Sequence, residues 1–363
     1  MTAPAPAPTA VGRLRRRAVQ LAELVATPLV PADYIDLIDP LRSGGELRGR
    51  IVAVHPETRD AVTLVIRPGR GWRQHTPGQY VRLGVDVDGV RQWRAYSLTS
   101  PVDRPDGCVA VTVKAIPDGV MSNHLVRRAR PGLVVQLDQA AGDFCLPDVG
   151  PAKALFVTAG SGITPVMGML RGALDQLQDV VLVHSAPTRA DVIFAGELRA
   201  LAADGRIRLV ERHTDDEGML SPADVAALVP DLAERETWAC GPTPMLDAFE
   251  EHFAAAGIPE RLHTERFRPS VLITGEGGTV TFAVQAVTVE AGGATPLLDA
   301  GEAAGVLMPS GCRMGICFGC VVPLRSGAVR DLRDGTVTTA AEGDGVNIQT
   351  CINAAAGACD IEL

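Results

Sequence analysis

The sequence predicts a multidomain protein: an antiparallel β-barrel, then an α/β domain built on a mostly parallel sheet, then a smaller unit that opens with strands. From Leu47, short Val-rich segments alternate with turn signals such as Pro68-Gly69, a pattern typical of a barrel or sandwich. Near Pro151 the pattern changes to strand–helix alternation, which is typical of βαβ units. A glycine-rich joint, ITGEGG at 273–278, precedes the last segment.

We place the domain boundaries where these patterns change. They define a leader over 1–46, a barrel over 47–149, an α/β domain over 150–270, a linker over 271–278 and a last domain over 279–363. The leader begins with Pro/Ala low complexity and continues with apolar residues at helical spacing from Leu14 to Val25. The arginines before that stretch also fit an export signal. Because Glu23 interrupts its apolar core, we expect a short amphipathic helix and a cytoplasmic protein.

The composition excludes two classes of function. The 363-residue chain has a formal charge of −9, so nucleic-acid binding is not expected. A membrane-spanning helix needs about 20 mostly apolar residues, and we expect none in this chain. Between Val271 and Leu363, ten acidic residues stand against four arginines, a net of −6. This acidic end fits either docking to a basic partner or a solvated face.

Three cysteines within nine residues, followed by a fourth, form the strongest motif. The four predicted metal ligands are Cys312, Cys317, Cys320 and Cys351. Their C-x4-C-x2-C…C pattern is the plant-type spacing for a [2Fe–2S] cluster, in which a tight loop brings three thiolates together. Structural zinc is the alternative, but such sites pair two short cysteine knuckles, a pattern that Cys351 does not fit. Buried structural roles are expected for Cys108, Cys145 and Cys359.

A second motif is suited to binding a diphosphate-containing cofactor. Arg94, Tyr96 and Ser97 end a predicted strand, and an arginine there can contact a phosphate with two hydrogen bonds. The segment from Gly119 to Ser122 reads as a turn that opens a helix, and a helix N-terminus offers N–H groups to a phosphate. The candidate binding residues of this region are Arg94, Tyr96, Ser97, Val113, Lys114, Gly119, Val120, Met121 and Ser122.

A third motif predicts a dinucleotide site. A buried strand runs into Gly160-Ser-Gly162 and then a helix, the geometry that places a diphosphate on a helix N-terminus. After the next strand no acid appears before Asp191, whereas Arg189 could accommodate a 2′-phosphate, so the pattern favours NADPH and leaves NADH open. The candidate dinucleotide-binding residues are Gly160, Gly162, Thr164, Pro165, Ser185, Arg189, Cys240, Gly241 and Pro242.

In this order, the motifs RxYS, GxxS, Thr-x-Gly-x-Gly-x-Thr-Pro and CGP resemble those of the ferredoxin–NADP reductase-like flavoproteins. The resemblance implies an FAD-binding barrel, an NAD(P)-binding domain and a β-grasp ferredoxin domain. It implies that Arg94 and the turn at 119–122 hold the FAD phosphates, while Tyr96 packs against the flavin. It also implies three catalytic residues: Ser97 near flavin N5, Cys240 beside the nicotinamide and Glu265 close to it. Thr164 would lie near the flavin edge.

The domain order, from about residue 47 to 363, resembles that of oxygenase and desaturase reductases. The resemblance implies an NAD(P)H-dependent reductase, in which FAD accepts a hydride and passes single electrons to the cluster. The acceptor would be a separate di-iron desaturase or hydroxylase. The leader and the segment GCRMGICFGCVVPL are most similar to actinobacterial reductases whose acceptors are membrane-bound. Two alternatives stay open: the reductase of a Rieske ring-hydroxylating dioxygenase, and a non-catalytic redox sensor.

Overall fold

A computed structural model describes residues 39, 41–42, 46–117, 119–267, 273–311, 313, 315 and 318–363. The predicted leader helix lies outside the described residues, as do Cys312 and Cys317. Within this part of the chain, no helix is both long and apolar enough to cross a membrane.

The first sheet forms the antiparallel barrel. Its elements are β1 (Arg48–Thr58), β2 (Ala61–Pro68), β3 (Tyr80–Val87), β4 (Val90–Ser97), β5 (Val109–Lys114), helix α1 (Val120–Arg128) and β6 (Val134–Leu137). The strand order is β4-β3-β6-β1-β2-β5, and a bridge between Leu98 and Val111 joins the two ends. Ile51, Leu64 and Leu83 are fully buried inside it. The predicted barrel is confirmed.

The second sheet is entirely parallel. Its strands are β7 (Lys153–Ala159), β8 (Asp179–Ala186), β9 (Arg208–His213), β10 (Glu236–Cys240) and β11 (Leu262–Glu265). Its helices are α2 (Ile163–Ala173), α3 (Ala195–Ala203), α4 (Thr214–Glu217), α5 (Pro222–Leu228) and α6 (Thr243–Ala255). The strand order β11-β10-β7-β8-β9 changes direction at β7. Ligands of open α/β sheets bind at the carboxyl ends of the strands at such a point.

The third sheet is mixed and carries one helix. Its elements are β12 (Gly278–Phe282), β13 (Val287–Ala291), α7 (Leu297–Ala303), β14 (Val321–Asp331), β15 (Val337–Ala340), β16 (Asn347–Gln349) and β17 (Asn353–Ile361). The order is β13-β12-β17-β14-β15, with β16 paired to β14. The β12–β17 pair is parallel and the other pairs are antiparallel. This α+β arrangement is the β-grasp fold that the resemblance implied.

The described part of the predicted linker, 273–278, is fastened to the third domain. Gly275 N donates to the Gly293 carbonyl at 2.7 Å, and Gly277 N donates to the Ala355 carbonyl at 3.2 Å. The Glu276 carboxylate pairs with Arg330 at 2.9 Å. Since residues of the third domain accept these hydrogen bonds, the described part of the segment is held against that domain, and its glycines allow the close approach of the backbones.

Candidate active site

The barrel presents Ser97 at the end of β4. Its side chain is buried, and Oγ has no hydrogen-bond partner in the described part of the chain. A buried hydroxyl without a partner is costly, so this atom fits a site where a cofactor supplies the partner. Arg94 lies on the same strand, with Nη1 donating to the Trp93 carbonyl at 2.7 Å. Burial, followed by the charge of Arg313, lowers the pKa of Arg94.

The predicted phosphate turn precedes α1, as the sequence indicates. Gly119 occupies the N-cap position, and Ser122 Oγ donates to its carbonyl at 3.2 Å. Val120 is exposed at the helix start, whereas Met121 is buried in the barrel core. The first-turn N–H groups of α1 therefore stay available to an anion. Val113 and Lys114 end the neighbouring strand β5, where Val113 is buried and Lys114 pairs with Asp60 at 3.4 Å.

The glycine turn lies between β7 and α2, at the switch point of the parallel sheet. Gly160 has φ +55°, a conformation that favours glycine, and a Cβ atom there would meet open space. A Cβ atom on Gly162 would lie 2.0 Å from the Cys240 carbonyl oxygen, so only glycine fits. Thr164 Oγ1 donates to the Ser161 carbonyl at 2.9 Å and fixes the turn. Pro165 is buried in the first turn of α2.

The second half of the site lies on β10 and β11. Cys240 is fully buried at the end of β10 and is in register with Glu265 at the end of β11. Gly241 and Pro242 then lead into α6. Oε2 of Glu265 is buried without a partner among the described residues, and burial raises the pKa of this carboxyl group to about 8. At neutral pH the group is therefore an uncharged acid that can donate a hydrogen bond.

Helix α2 brings the barrel and the parallel sheet together. A Cβ atom on Gly168 would lie 2.2 Å from the Leu98 carbonyl oxygen, so α2 rests directly on the backbone that follows Ser97. Arg171 Nη1 donates to the Thr99 carbonyl at 2.7 Å in the same contact. Thr164 is one helical turn before Gly168 and shares its face. Ser97 and Thr164 therefore face one interface between the two domains.

The segment after β8 carries the residues predicted to select the dinucleotide. Ser185 is buried at the strand end, and Arg189 is exposed. Asp191, the first acid after the strand, is buried and already engaged: Thr188 Oγ1 donates to it at 2.6 Å and Arg59 of the barrel pairs with it at 3.3 Å. Its carboxylate is thus engaged within the protein, whereas the Arg189 side chain is exposed.

Two of the four predicted cluster ligands lie among the described residues. Cys320 and Cys351 are both buried. The N–H and Oγ1 of Thr350 donate to the Cys320 carbonyl at 3.2 and 3.1 Å, which brings the chain at Cys351 alongside Cys320. Gln349 Nε2 donates to the Gly315 carbonyl at 2.9 Å, and Gly315 has φ +76°. A glycine with a positive φ beside two buried thiols fits a thiolate-ligated cluster.

The remaining cysteines differ in exposure. Cys108 and Cys359 are buried, as expected, whereas Cys145 is only half-buried. Its backbone carbonyl accepts a hydrogen bond from Trp238 Nε1 at 3.2 Å. Burial, followed by the charge of Glu265, raises the pKa of the Cys145 thiol to about 11. This cysteine therefore lies near the predicted hydride site, a position that its sequence context does not reveal.

Sequence reasoning also missed a buried pair at the ends of β7 and β8, the strands that lead into the two predicted dinucleotide loops. Thr158 Oγ1 and His184 Nδ1 are 2.8 Å apart, and both side chains are fully buried. Thr158 is the first residue of the Thr-x-Gly motif, and His184 ends the apolar run VVLVH. The sequence around each residue indicates a polar side chain at a strand end. Only the order of the strands in the sheet shows that Thr158 and His184 are neighbours.

Three family models match consecutive parts of the chain. The oxidoreductase FAD-binding domain matches residues 72–145, the oxidoreductase NAD-binding domain matches 156–251, and the 2Fe-2S iron-sulfur cluster binding domain matches 280–356. These ranges fall on the barrel, the parallel sheet and the mixed sheet respectively. The matches identify the three cofactors as FAD, NAD(P)H and a [2Fe–2S] cluster.

Relatives cover nearly the whole chain. An "NADPH oxidoreductase" of Mycobacterium tuberculosis is 49% identical over 351 residues, which are 95% of this chain and 91% of the relative. The ferredoxin reductase component of 3-ketosteroid-9-alpha-monooxygenase from Mycolicibacterium smegmatis is 33% identical over 306 residues, 77% of this chain and 86% of the relative. The structure of phthalate dioxygenase reductase has the same fold, with a TM-score of 0.59 and 21% identity over 88% of this chain and 98% of that chain.

Proposed function

The chain belongs to the ferredoxin-reductase-type flavoproteins that end in a plant-type [2Fe–2S] domain, and we propose that it carries electrons from NADPH to a separate di-iron desaturase or hydroxylase. It is an NAD(P)H-dependent oxidoreductase. When bound, FAD supplies the chemistry that divides the two electrons of a hydride into single-electron transfers, and the cluster accepts one electron at a time. The observation that carries the proposal is the contact of α2 with the end of β4, which places Thr164 and Ser97 at one interface.

The protein's own residues would hold and orient the reactants at that interface. Arg94 and the start of α1 would bind the FAD phosphates, and Ser97 Oγ would donate a hydrogen bond at the reactive edge of the flavin. Gly160 and Gly162 would admit the dinucleotide diphosphate to the start of α2. Cys240 and Glu265 would position the nicotinamide, since the Cys240 side chain and Oε2 of Glu265 are buried and both groups are uncharged at neutral pH. Positioning of this kind supplies much of the rate of a hydride transfer.

The choice of NADPH is supported by the state of Asp191. NAD-binding sites usually offer a carboxylate to the ribose 2′-hydroxyl, and an arginine accommodates a 2′-phosphate. Here Thr188 and Arg59 contact the carboxylate of Asp191, the first acid after β8, while Arg189 is exposed. The relative of 49% identity is named an NADPH oxidoreductase.

A groove beside the cluster loop is suited to docking of the acceptor. It has a volume of about 370 Å³ and is lined in part by Phe318, Val321, Asp334 and Ile352. Val321 directly follows Cys320 and Ile352 directly follows Cys351, so two lining residues are the sequence neighbours of the described ligands. Phe318 is 67% exposed. An apolar wall with an exposed carboxylate fits an acceptor surface that carries an apolar side chain flanked by basic residues.

The acceptor class is tested by reconstitution with two purified enzymes. The complete chain, loaded with FAD and cluster, is mixed with NADPH and either a membrane di-iron fatty acyl desaturase or a ring-hydroxylating oxygenase. The proposal expects NADPH-dependent product with the desaturase. The second candidate, an oxygenase, is favoured by relatives named as reductase subunits of stachydrine N-demethylase and glycine betaine monooxygenase. Cytochrome c reduction without product from either enzyme would refute both.

A further inference from the structure

A buried hydrogen bond joins the two central strands of the parallel sheet at their carboxyl ends. Thr158 on β7 and His184 on β8 are in register, and Thr158 Oγ1 lies 2.8 Å from His184 Nδ1. Thr158 is two residues before Gly160, where the glycine turn begins, and His184 directly precedes Ser185. The bond therefore ties together the two strand ends that lead into the two proposed dinucleotide loops.

The pair is the middle of one polar row across the whole sheet. In register, the row reads Glu265, Cys240, Thr158, His184 and Glu211 on β11, β10, β7, β8 and β9. Residues in register on neighbouring parallel strands place their side chains on the same face. At the far end Glu211 is fixed by Arg199 through two contacts of 2.7 and 2.9 Å. The proposed hydride residues lie at the other end.

His184 depends on Thr158 for its placement. Its Nε2 is buried and has no hydrogen-bond partner in the part of the chain that the structure describes. Burial lowers the pKa of the imidazole to about 4, so the ring is neutral at pH 7 and carries a single N–H. The bond at Nδ1 is thus the polar contact that fixes the ring among the described residues.

The turns above the pair tolerate little movement. A Cβ atom on Gly162 would lie 2.0 Å from the Cys240 carbonyl oxygen, and one on Gly241 would lie 3.2 Å from Ala159 Cβ. The glycine turn and the end of β10 are therefore packed directly against each other. A shift of β7 at Thr158 has to move the turn relative to β10, since closely packed atoms cannot absorb it.

We propose that the Thr158–His184 hydrogen bond is a positioning device that sets the spacing between the glycine turn and the Ser185–Arg189 segment, and thereby the affinity for NADP(H). Both are positioning residues, because they act through the loops that follow them. The inference rests on the proposed function only in assigning those two loops to the dinucleotide.

The test compares three variants of the FAD- and cluster-loaded protein. Thr158→Val keeps the shape and removes the hydroxyl, Thr158→Ser keeps the hydroxyl, and Thr237→Val is the matched control. Thr237 is also fully buried in the same sheet, at the start of β10, where its Oγ1 donates to the Arg235 carbonyl at 3.4 Å. The readouts are the Kd of NADP⁺ from the flavin difference spectrum, the FAD content and the thermal midpoint.

We expect Thr158→Val to raise the Kd of NADP⁺ about tenfold, the equivalent of one lost hydrogen bond. Thr158→Ser restores wild-type affinity, and Thr237→Val leaves the Kd unchanged even though its thermal midpoint falls. The FAD content stays the same in all three. If Thr158→Val does not fold, His184→Phe removes the same bond from the other side and must raise the Kd likewise.

Equal Kd values for Thr158→Val and Thr237→Val would overturn the inference, as would a serine variant no better than the valine variant. Both results leave the proposed function intact, because wild-type protein still binds NADP⁺. Failure of the wild-type protein to bind NADP⁺ or NAD⁺ would instead refute the proposed function, and the inference with it. The two failures are therefore distinguishable.

Discussion

Glu265 and Cys240 lie in register at the ends of two neighbouring parallel strands, and neither group is charged at neutral pH. Burial raises the pKa of Glu265 to about 8 and raises that of the Cys240 thiol well above its usual range. The end of the sheet proposed to receive the nicotinamide therefore holds a carboxylic acid and a thiol, both able to donate hydrogen bonds. Buried groups with perturbed pKa values are a frequent property of active sites.

The raised pKa of Glu265 predicts a pH-dependent stability. Between its unfolded pKa near 4.5 and its folded pKa of about 8, the folded protein binds a proton that the unfolded chain releases. The folding stability that the protonated Glu265 carboxyl group contributes is therefore lost as pH rises through that window. Relative to wild type, Glu265→Gln should gain about 2 kcal/mol in unfolding free energy between pH 6 and 8.5. Calorimetry at constant ionic strength measures the unfolding free energy of both proteins. A difference between them that does not change with pH would contradict a raised pKa for Glu265.

Because the Ser97 hydroxyl has no hydrogen-bond partner among the described residues, we expect its removal to slow the reaction without destabilising the fold. Because Oγ has no partner in the described protein, Ser97→Ala should not lower the thermal midpoint. Flavin reduction by NADPH, followed by stopped flow, should slow by about tenfold to a hundredfold if the hydroxyl contacts the flavin. Ser100→Ala is the matched control. Its Oγ accepts a hydrogen bond from Ala110 N at 3.1 Å, so it should lose about 1 kcal/mol with a normal reduction rate.

Gly162 predicts a steric limit at the glycine turn. Gly162→Ala would place a methyl group 2.0 Å from the Cys240 carbonyl oxygen, so we expect a loss of about 1–3 kcal/mol together with weaker NADP⁺ binding. Gly196→Ala in α3 is the control, because its Cβ atom meets nothing within 4 Å and should stabilise the helix by about 0.5 kcal/mol. Thermal midpoints and NADP⁺ titrations measure both. Equal thermal midpoints and equal NADP⁺ affinities for the two variants would refute the close approach of Gly162 to the Cys240 carbonyl.

Arg189 predicts the dinucleotide preference. Arg189→Ala should raise the KM for NADPH about tenfold and leave the KM for NADH unchanged, since the guanidinium would bind the 2′-phosphate. Arg206→Ala is the control: this arginine is also exposed but pairs with Asp175, before β9 begins. Initial rates of cytochrome c reduction with each donor give both constants. Parallel changes for NADPH and NADH would contradict the assignment.

Local patterns were sufficient to predict much of this architecture. The cluster motif needs only the spacing of cysteines along the chain, because the loop that carries them is itself local. The barrel and the parallel sheet follow from strand periodicity and from strand–helix alternation, which the structure confirms. The glycine turn is also local, and Gly160 and Gly162 lie between β7 and α2 as expected.

What the sequence could not reveal depends on strand order and on contacts between domains. The pairing of Thr158 with His184 exists only because β7 and β8 are neighbours in one register. Asp191 looks available in the sequence, but Arg59 of the barrel reaches it across the domain boundary. The glycines of 273–278 suggest a flexible joint, yet hydrogen bonds to distant residues fasten the segment to the last domain.

The proposed function requires that electrons from NADPH reach a [2Fe–2S] cluster within this chain. Low-temperature EPR of the anaerobic protein, mixed with a limiting amount of NADPH, tests it most directly. We predict a rhombic signal of a reduced [2Fe–2S] cluster that is retained in Cys359→Ser and abolished or altered in Cys351→Ser. Bleaching of the flavin without any cluster signal in the wild-type protein would contradict the account.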